Sequence, residues 1–304
     1  MPILSVITRT KNRAILLKRV LDSLSKQSRK DFEWIIVNDG GEVDCVDQIC
    51  ADARERCLDV TVIHHEVSKG MEAASNAGIS ISTAKYILIH DDDDSLAPTF
   101  CEKTIEFLEN KKHFKGVVTL STRVDEKIID DKVVTTAFSA FNHGLFNIQL
   151  TEMVAGNLYP PISFVFERSV YDQIGGFDES LPVLGDWMFN LRFLERADIG
   201  VIREPLAFYH HRPSCTGTMG NTIYDGISAH IEYDAVVRNM LMRESMQSGD
   251  SSLGHYIAAC YNQKLFDRYM LSRQLKDCMQ WAIVRCRVRL SEVKKRFKEM
   301  LIKK

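Results

Sequence analysis

Residues 86–94 read YILIHDDDD, an apolar run closed by four consecutive aspartates. A run this short and this apolar reads as a strand buried on both faces, and the acidic quartet as the turn that leaves it. The same pattern recurs upstream. Residues 3–8 (ILSVIT) lead into a polar cluster at 8–13, and residues 32–38 (FEWIIVN) end in Asn38-Asp39-Gly40-Gly41; residues 60–64 form a third such run. Between these runs the hydrophobic period changes to that of a helix. Ile15, Leu16, Val20, Leu21 and Leu24 follow Asn12, a candidate cap; 43–57 is a second helix; 68–79 is a third, behind Ser68; Pro98 begins a fourth that continues over 100–108. Strand–helix alternation predicts an α/β fold, a Rossmann-like, mostly parallel sheet flanked by helices. Ligands of such sheets bind at the carboxyl ends of the strands, where all three polar clusters fall.

The pattern is mixed beyond residue 117. Strands are expected at 117–121, 132–137 and 162–166, a short helix at 167–174 closed by Gly175-Gly176, an amphipathic helix at 186–196, and two short strands at 199–203 and 206–209. Residues 212–222 are rich in Gly, Ser and Thr and read as a mobile loop. The chain then turns helical, giving two expected units: a domain over 1–222 and a helical C-terminal extension over 223–304.

Composition is that of a globular protein, with 45% hydrophobic and 26% charged residues among 304, so wholesale disorder and fibrous repeats are excluded. The net charge of -2 gives no footprint for nucleic acid. Charge is uneven: residues 285–304 carry nine Lys or Arg against two Asp or Glu. There Met279, Ile283, Cys286, Leu290, Val293, Phe297 and Met300 form an apolar helical stripe opposite a basic face. Such a helix over 279–301 suits an anionic membrane surface, its own domain, or a second copy of the chain in a homo-oligomer. Eight cysteines include no Cys-x-x-Cys pair, and Met1-Pro2 runs into the first strand without a basic leader, so reduced thiols and a cytoplasmic chain, peripheral to the membrane at most, are expected. No run of apolar residues is long enough to span a bilayer.

Four adjacent carboxylates repel one another. The quartet is either a solvated turn or a site for Mg²⁺ or Mn²⁺, hard cations that favour one or two carboxylates plus substrate phosphates. The glycine-rich phosphate loops of NTPases and dinucleotide enzymes are absent, as is a Gly-x-Ser-x-Gly nucleophile.

Six pieces in order resemble the family 2 glycosyltransferases of the GT-A fold. They are Arg9-Thr10-Lys11-Asn12-Arg13 for a Pro-Thr-Tyr-Asn-Arg-like turn; Asn38-Asp39-Gly40-Gly41; the run from Ser68 to Gly78 for Asn-x-Gly-x-x-x-Ala-Arg-Asn-x-Gly; Asp91-Asp92-Asp93-Asp94 for Asp-x-Asp; Gly175-Gly176-Phe177-Asp178-Glu179 with Gly185-Asp186-Trp187; and His210-His211. The resemblance covers roughly residues 3–215. Three positions depart from the pattern: Arg9 stands for Pro, Lys11 for Tyr and Ser75 for Arg.

The resemblance implies transfer of a sugar from a nucleotide sugar, UDP-linked by preference, to a hydroxyl of a glycan acceptor, with inversion. Bacterial surface polysaccharide assembly on a lipid-linked acceptor is the implied setting. Asp39 is expected to accept from the base. Thr8, Arg9, Thr10, Arg13, Lys69, Gly70, Asn76 and Asp92 are expected to line the donor. Asp91 with Asp93, or Asp92 with Asp94, would hold Mn²⁺ or Mg²⁺ together with His211 or His210. Asp186 is the expected general base, or a helix N-cap, and Trp187 either stacks on an acceptor sugar or belongs to the core. Two rival readings stay open: a non-catalytic nucleotide- or glycan-binding module, and a sugar nucleotidyltransferase.

Overall fold

The computed structural model describes residues 1–130 and 132–248. The basic stripe over 279–301 and the cysteines beyond Cys215 lie outside the described residues. In chain order the elements are β1 (Leu4–Thr10), α1 (Ala14–Ser25), β2 (Phe32–Asp39), α2 (Val43–Glu55), β3 (Asp59–His65), α3 (Met71–Ile81), β4 (Tyr86–Asp91), β5 (Ser95–Leu96) and α4 (Phe100–Asn110). Then come β6 (Phe114–Ile129), β7 (Lys132–Ala140), α5 (Leu150–Ala155), β8 (Phe164–Glu167), α6 (Arg168–Ile174), α7 (Gly185–Leu194), β9 (Asp198–His211), α8 (Thr222–Asp225) and α9 (Ile227–Ser248).

The sheet order is β3-β2-β1-β4-β8-β6-β9-β5, with β7 paired to β6 as a hairpin. The first four strands run parallel. The chain builds leftward from β1 to β3 and then crosses to β4 on the other side of β1. That reversal is the switch point where a crevice opens. The polar turn after β1 and the acidic quartet after β4 therefore meet there.

Alternation along each strand divides the core. Val6, Trp34, Ile36 and Leu88 face α1, α2 and α4. Ile7, Ile35, Val37, Ile87 and Ile89 face α3, α6 and α7. Helix α9 buries Val237 and Leu241 in this second cluster, so the helical extension begins packed on the sheet domain. Among the described residues no helix is long and apolar enough to cross a membrane.

Several boundaries differ from the sequence pattern. β1 runs on through Arg9 and Thr10, because β2 and β4 extend far enough to pair with them: Arg9 lies opposite Asp91, and Thr10 opposite Asn38. β6 is far longer than 117–121 because β7 and β9 both pair with it. The two strands expected at 199–203 and 206–209 are one strand, β9. Pro205 lacks an N–H, and the ladder shifts register around Leu120 to pass it. Neither expected cap is used. Asn12 adopts a left-handed φ of 55° and accepts from the Glu42 N–H at 2.8 Å, while Ser68 lies ahead of α3, whose cap position is Gly70. The loop over 212–222 is tied down, with Arg13 donating to the Thr218 and Gly220 carbonyls and Arg212 to that of Met219.

Helix α3 lies close on β1 and β2 at Gly78. A Cβ there would meet Ile7 Cγ2 at 2.4 Å and Val37 Cγ2 at 3.1 Å. Both methyls belong to β-branched side chains with little rotamer freedom, so the helix must lift. Gly78→Ala is expected to lower stability by about 1–3 kcal/mol, read from urea or thermal unfolding.

Candidate active site

At the switch point a cavity of ≈ 430 Å³ is lined by Arg9, Thr10, Arg13, Asp91, Asp92 and Asp93, among others. This volume lies within the range of small-molecule sites. Residues of the 212–222 loop and α8, including Thr218, Asn221 and Ile223, form part of its wall.

Three successive aspartates each meet an arginine. The parallel register of β1 and β4 sets Arg9 beside Asp91, and Arg9 Nε donates to Asp91 Oδ1 at 3.0 Å. Asp92 accepts from Thr10 Oγ1 at 2.7 Å and from Arg13 Nη1 at 3.2 Å, one on each oxygen. Asp93 accepts through Oδ2 from Arg212 Nη2 and from Asn221 Nδ2, the latter at 3.1 Å. Burial opposes the charge of Asp93, but Arg212 and Arg13 hold it below the ordinary carboxylate range. Asp92 moves the other way: burial and its neighbour Asp93 outweigh Arg13 and push it up. Asp94 points inward. It is fully buried, accepts from the His210 N–H at 2.9 Å, and burial beside Asp93 holds its pKa far above the usual range. The offset pair Asp92 and Asp94 therefore does not share the cavity.

The two histidines stand elsewhere. His210 Nδ1 lies 2.7 Å from Glu126 and its Nε2 2.8 Å from Ser95 Oγ, so both ring nitrogens are occupied. His211 Nδ1 lies 2.9 Å from the Tyr224 hydroxyl, and its buried Nε2 has no partner among the described residues. Burial and nearby Arg123 lower the pKa of His211 to about 4. Neither ring lines the cavity; Tyr209 does, with Phe141 edge-on to its ring at 5.3 Å. The expected Mn²⁺ or Mg²⁺ site can be tested on this donor set. Such cations need oxygens free to coordinate. Both oxygens of Asp92, one of Asp91 and one of Asp93 are held by guanidinium, hydroxyl or amide donors. Among the described residues no group of three or more His, Cys, Asp or Glu is placed to hold a metal ion. With arginines on all three aspartates, the residues do not fit a cation held by two of these carboxylates; of their oxygens, only Asp91 Oδ2 and Asp93 Oδ1 are left uncommitted among the described residues.

Asp39 lines the far end of the cavity. Its carboxylate has about four acceptor positions, and the chain supplies four donors: His65 Nδ1 at 2.8 Å, Ser68 Oγ at 2.6 Å, and the N–H groups of Lys69 and Gly70 at 2.8 and 3.0 Å. Burial opposes its charge, but these contacts, His65 foremost, keep it below the ordinary carboxylate range. Its visible role is to shape the loop before α3. Gly70 reaches the cavity wall, whereas Lys69 is not among the lining residues.

Thr8, Asn76, Trp187 and Asp186, like Lys69 and the two histidines, are not among the residues that line the cavity. Thr8 is fully buried and accepts from Trp34 Nε1 at 2.9 Å. Asn76 makes four hydrogen bonds, to Tyr171, Glu179 and the backbone of Phe177, and so clamps α3 to the Gly-Gly-Phe-Asp-Glu segment. Trp187 is buried, donates to the Met153 carbonyl at 2.7 Å and carries Arg238 over its ring at 4.8 Å, which makes it core.

Asp186 is in the first turn of α7, two residues beyond Leu184, the position that caps it. Asn157 Nδ2 donates to Asp186 Oδ2 at 2.7 Å. Burial raises its pKa above the ordinary value, and Arg9 and Asp91 act on it electrostatically with opposite signs. Beside it sits Glu72, a buried carboxylate that sequence pattern did not single out. Its side chain packs on Gly185, where a Cβ would fall 2.4 Å from it, and Arg9 Nη1 lies 3.8 Å from Glu72 Oε2. The same Arg9 Nη1 lies 3.2 Å from Ser75 Oγ. A long side chain at position 75 would enter the space that Arg9 fills. The short side chain of Ser75 thus leaves room for Arg9. Also unforeseen were Arg212, Glu126 and Asn221; a buried arginine needs carboxylate partners, but spacing alone does not reveal which.

The Glycosyl transferase family 2 model matches residues 5–175, more than half of the chain, and the protein belongs to that family. Among relatives, the uncharacterized glycosyltransferase YwdF of Bacillus subtilis is 28% identical over 204 residues, covering 67% of this chain and 72% of that one. A PGL/p-HBAD biosynthesis glycosyltransferase of Mycobacterium tuberculosis is 25% identical over 191 residues, covering 63% and 69%. In structure, S. aureus TarS 1-349 in complex with UDP superposes with a TM-score of 0.57 at 19% identity, over 70% of this chain and 61% of TarS 1-349. The mannosyltransferase PcManGT from Pyrobaculum calidifontis, in complex with GDP-Man and Mn²⁺, superposes at 0.55 with 14% identity, over 85% and 74%. These likenesses show the fold, an α/β sheet of the GT-A type.

Glu72 gives the site a pH signature. Burial lifts its pKa from 4.5 to about 7 against the pull of Arg9. The folded state therefore favours the protonated acid. That contribution is complete below the ordinary pKa and is lost as pH rises through about 7. Glu72→Gln should match the parent in stability near pH 4.5 and exceed it at pH 8 by up to roughly 3 kcal/mol. Urea unfolding at the two pH values checks the sign.

Proposed function

We propose that this chain transfers a sugar from a nucleotide sugar, UDP-linked by preference, to a hydroxyl of a glycan acceptor, inverting the anomeric centre. Residues 1–222 carry the reaction. The observation that supports this most is Asp186: a carboxylate fixed by Asn157, raised in pKa by burial, and within the field of Arg9 and Asp91 at the cavity. A base needs a pKa between those of its substrate and water and a fixed position near the proton it takes. Asp186 accepts the acceptor hydroxyl's proton as that oxygen bonds to the anomeric carbon. The bond from that carbon to the diphosphate oxygen breaks, and the negative charge that leaves falls beside Arg9 and Arg13.

The donor class draws support from the neighbours crystallised with UDP and with GDP-Man. The relative named for PGL/p-HBAD biosynthesis supports a biosynthetic glycosyl transfer; we place it in bacterial surface polysaccharide assembly, in which the basic segment over 279–301 would bring the enzyme to a lipid-linked acceptor at the membrane surface.

Asp186→Asn keeps the shape and the Asn157 contact but removes the base. Transfer should fall by about 10²–10⁴-fold, while UDP still raises the melting temperature as in the parent. A ligand at about 100 times its Kd adds roughly 2.7 kcal/mol to the folded state. Unchanged turnover in Asp186→Asn removes the residue from this role. A parent protein that binds donor without hydrolysing or transferring it is a binding module instead.

A further inference from the structure

We infer that this enzyme binds its donor without a divalent cation, because arginines already supply the positive charge at the acidic quartet. The inference rests on the nucleotide-sugar reading above and concerns how the diphosphate is held. The key residue is Arg212, which follows His210-His211 directly. It is fully buried and every arm of its guanidinium is engaged: Nε donates to the Met219 carbonyl at 2.8 Å, Nη1 lies 3.5 Å from Glu126 Oε2, and Nη2 donates to Asp93. Its backbone N–H donates to Asn221 Oδ1 at 2.7 Å, and Asn221 in turn donates to Asp93. This guanidinium is fully buried and held at each of its nitrogens. A cation bound at Asp93 Oδ2 would have to displace it and leave a buried charge without its partner, which is strongly unfavourable.

Asp91 and Asp92 are paired with arginines in the same way. Arg13 lies 3.2 Å from Asp92 and 3.7 Å from Asp93, Arg9 lies on Asp91, and Arg19 lies 2.9 Å from Glu126 behind Arg212. Arg212 satisfies Asp93 from beneath. Arg9 and Arg13 line the cavity beside Lys11 and, while each also bonds within the chain, they are the guanidinium groups that an incoming diphosphate meets. Guanidinium suits this task, because its fork of donors matches phosphate oxygens and it stays charged at all working pH values.

The test uses the full chain, freed of metal by chelator. Electron paramagnetic resonance of Mn²⁺ should show the free-ion signal undiminished by the protein alone, and with UDP diminished only as UDP itself diminishes it. Calorimetric titration with UDP should give affinities in EDTA and in Mn²⁺ that agree within about threefold, whereas a gain of about tenfold or more in Mn²⁺ overturns the inference. Protein-dependent loss of the Mn²⁺ signal overturns it as well. Arg13→Gln should weaken UDP by about tenfold in EDTA; unchanged affinity there removes the arginines from the role. Failure of UDP, GDP and dTDP to bind in either buffer sinks the transferase reading and this inference with it. Binding that depends on Mn²⁺ sinks the inference alone.

Discussion

The fold converges on the pairing of consecutive aspartates with arginines drawn from separate parts of the chain. Asp91, Asp92 and Asp93 stand at the carboxyl end of β4, Asp91 partly exposed and the other two buried. Buried carboxylates must be compensated. Arg9 comes from β1, Arg13 from the turn after it, and Arg212 from beyond β9, over a hundred residues away. Charge neutrality at this one point therefore fixes the switch point, the end of β9 and the loop over 212–222 together. Asp94 is the exception: with no arginine against its side chain it is held toward its neutral form, and it uses one oxygen to receive the His210 N–H.

The parallel half of the sheet was legible in the sequence because its signal is local. Runs such as FEWIIVN are apolar without interruption, and the helices between them carry a clear period. The long strands β6 and β9 were harder to see. Their extent is set by pairing with each other and, for β6, with β7; continuous burial in β6 is confined to residues 116–121, and in β9 the exposed residues 203–205 interrupt the apolar pattern. Helix starts were misread at Asn12 and Ser68 for a similar reason. Both side chains do make the local polar contacts typical of their type, but to Glu42 and Asp39 across the crevice rather than to the helix behind them.

The candidate site was legible as a set of segments, less so as a set of roles. Arg9, Thr10, Arg13 and the aspartates do meet at the cavity. Thr8 alternates to the opposite face of β1 from Arg9, as the period of a strand requires, and joins Trp34 in the core. His210 likewise turns from Tyr209 toward Glu126. Asn76 and Asp39 illustrate a further limit. Each sits in a recognisable motif, yet each spends all its hydrogen-bonding capacity within the chain, joining one motif to another. A motif's spacing records that a residue is needed there and does not distinguish contact with a ligand from support of the loop that makes it.

Arg9 ties the proposed base to the donor side of the cavity. Its guanidinium meets Asp91 on one side and Glu72 on the other, and Glu72 packs on Gly185 immediately before Asp186. Leu184, one residue earlier, holds a left-handed φ of 65°, a conformation that branched side chains rarely adopt and that persists only where surrounding contacts enforce it. The start of α7 is thus set by buried contacts from α3 and by this turn, and Asn157 fixes the carboxylate from the other side. Position and charge at Asp186 therefore depend on the same arginine that neutralises Asp91. A negative diphosphate arriving at Arg9 would draw on the positive potential that opposes protonation of Asp186. Donor binding would then raise the basicity of the carboxylate proposed as the base.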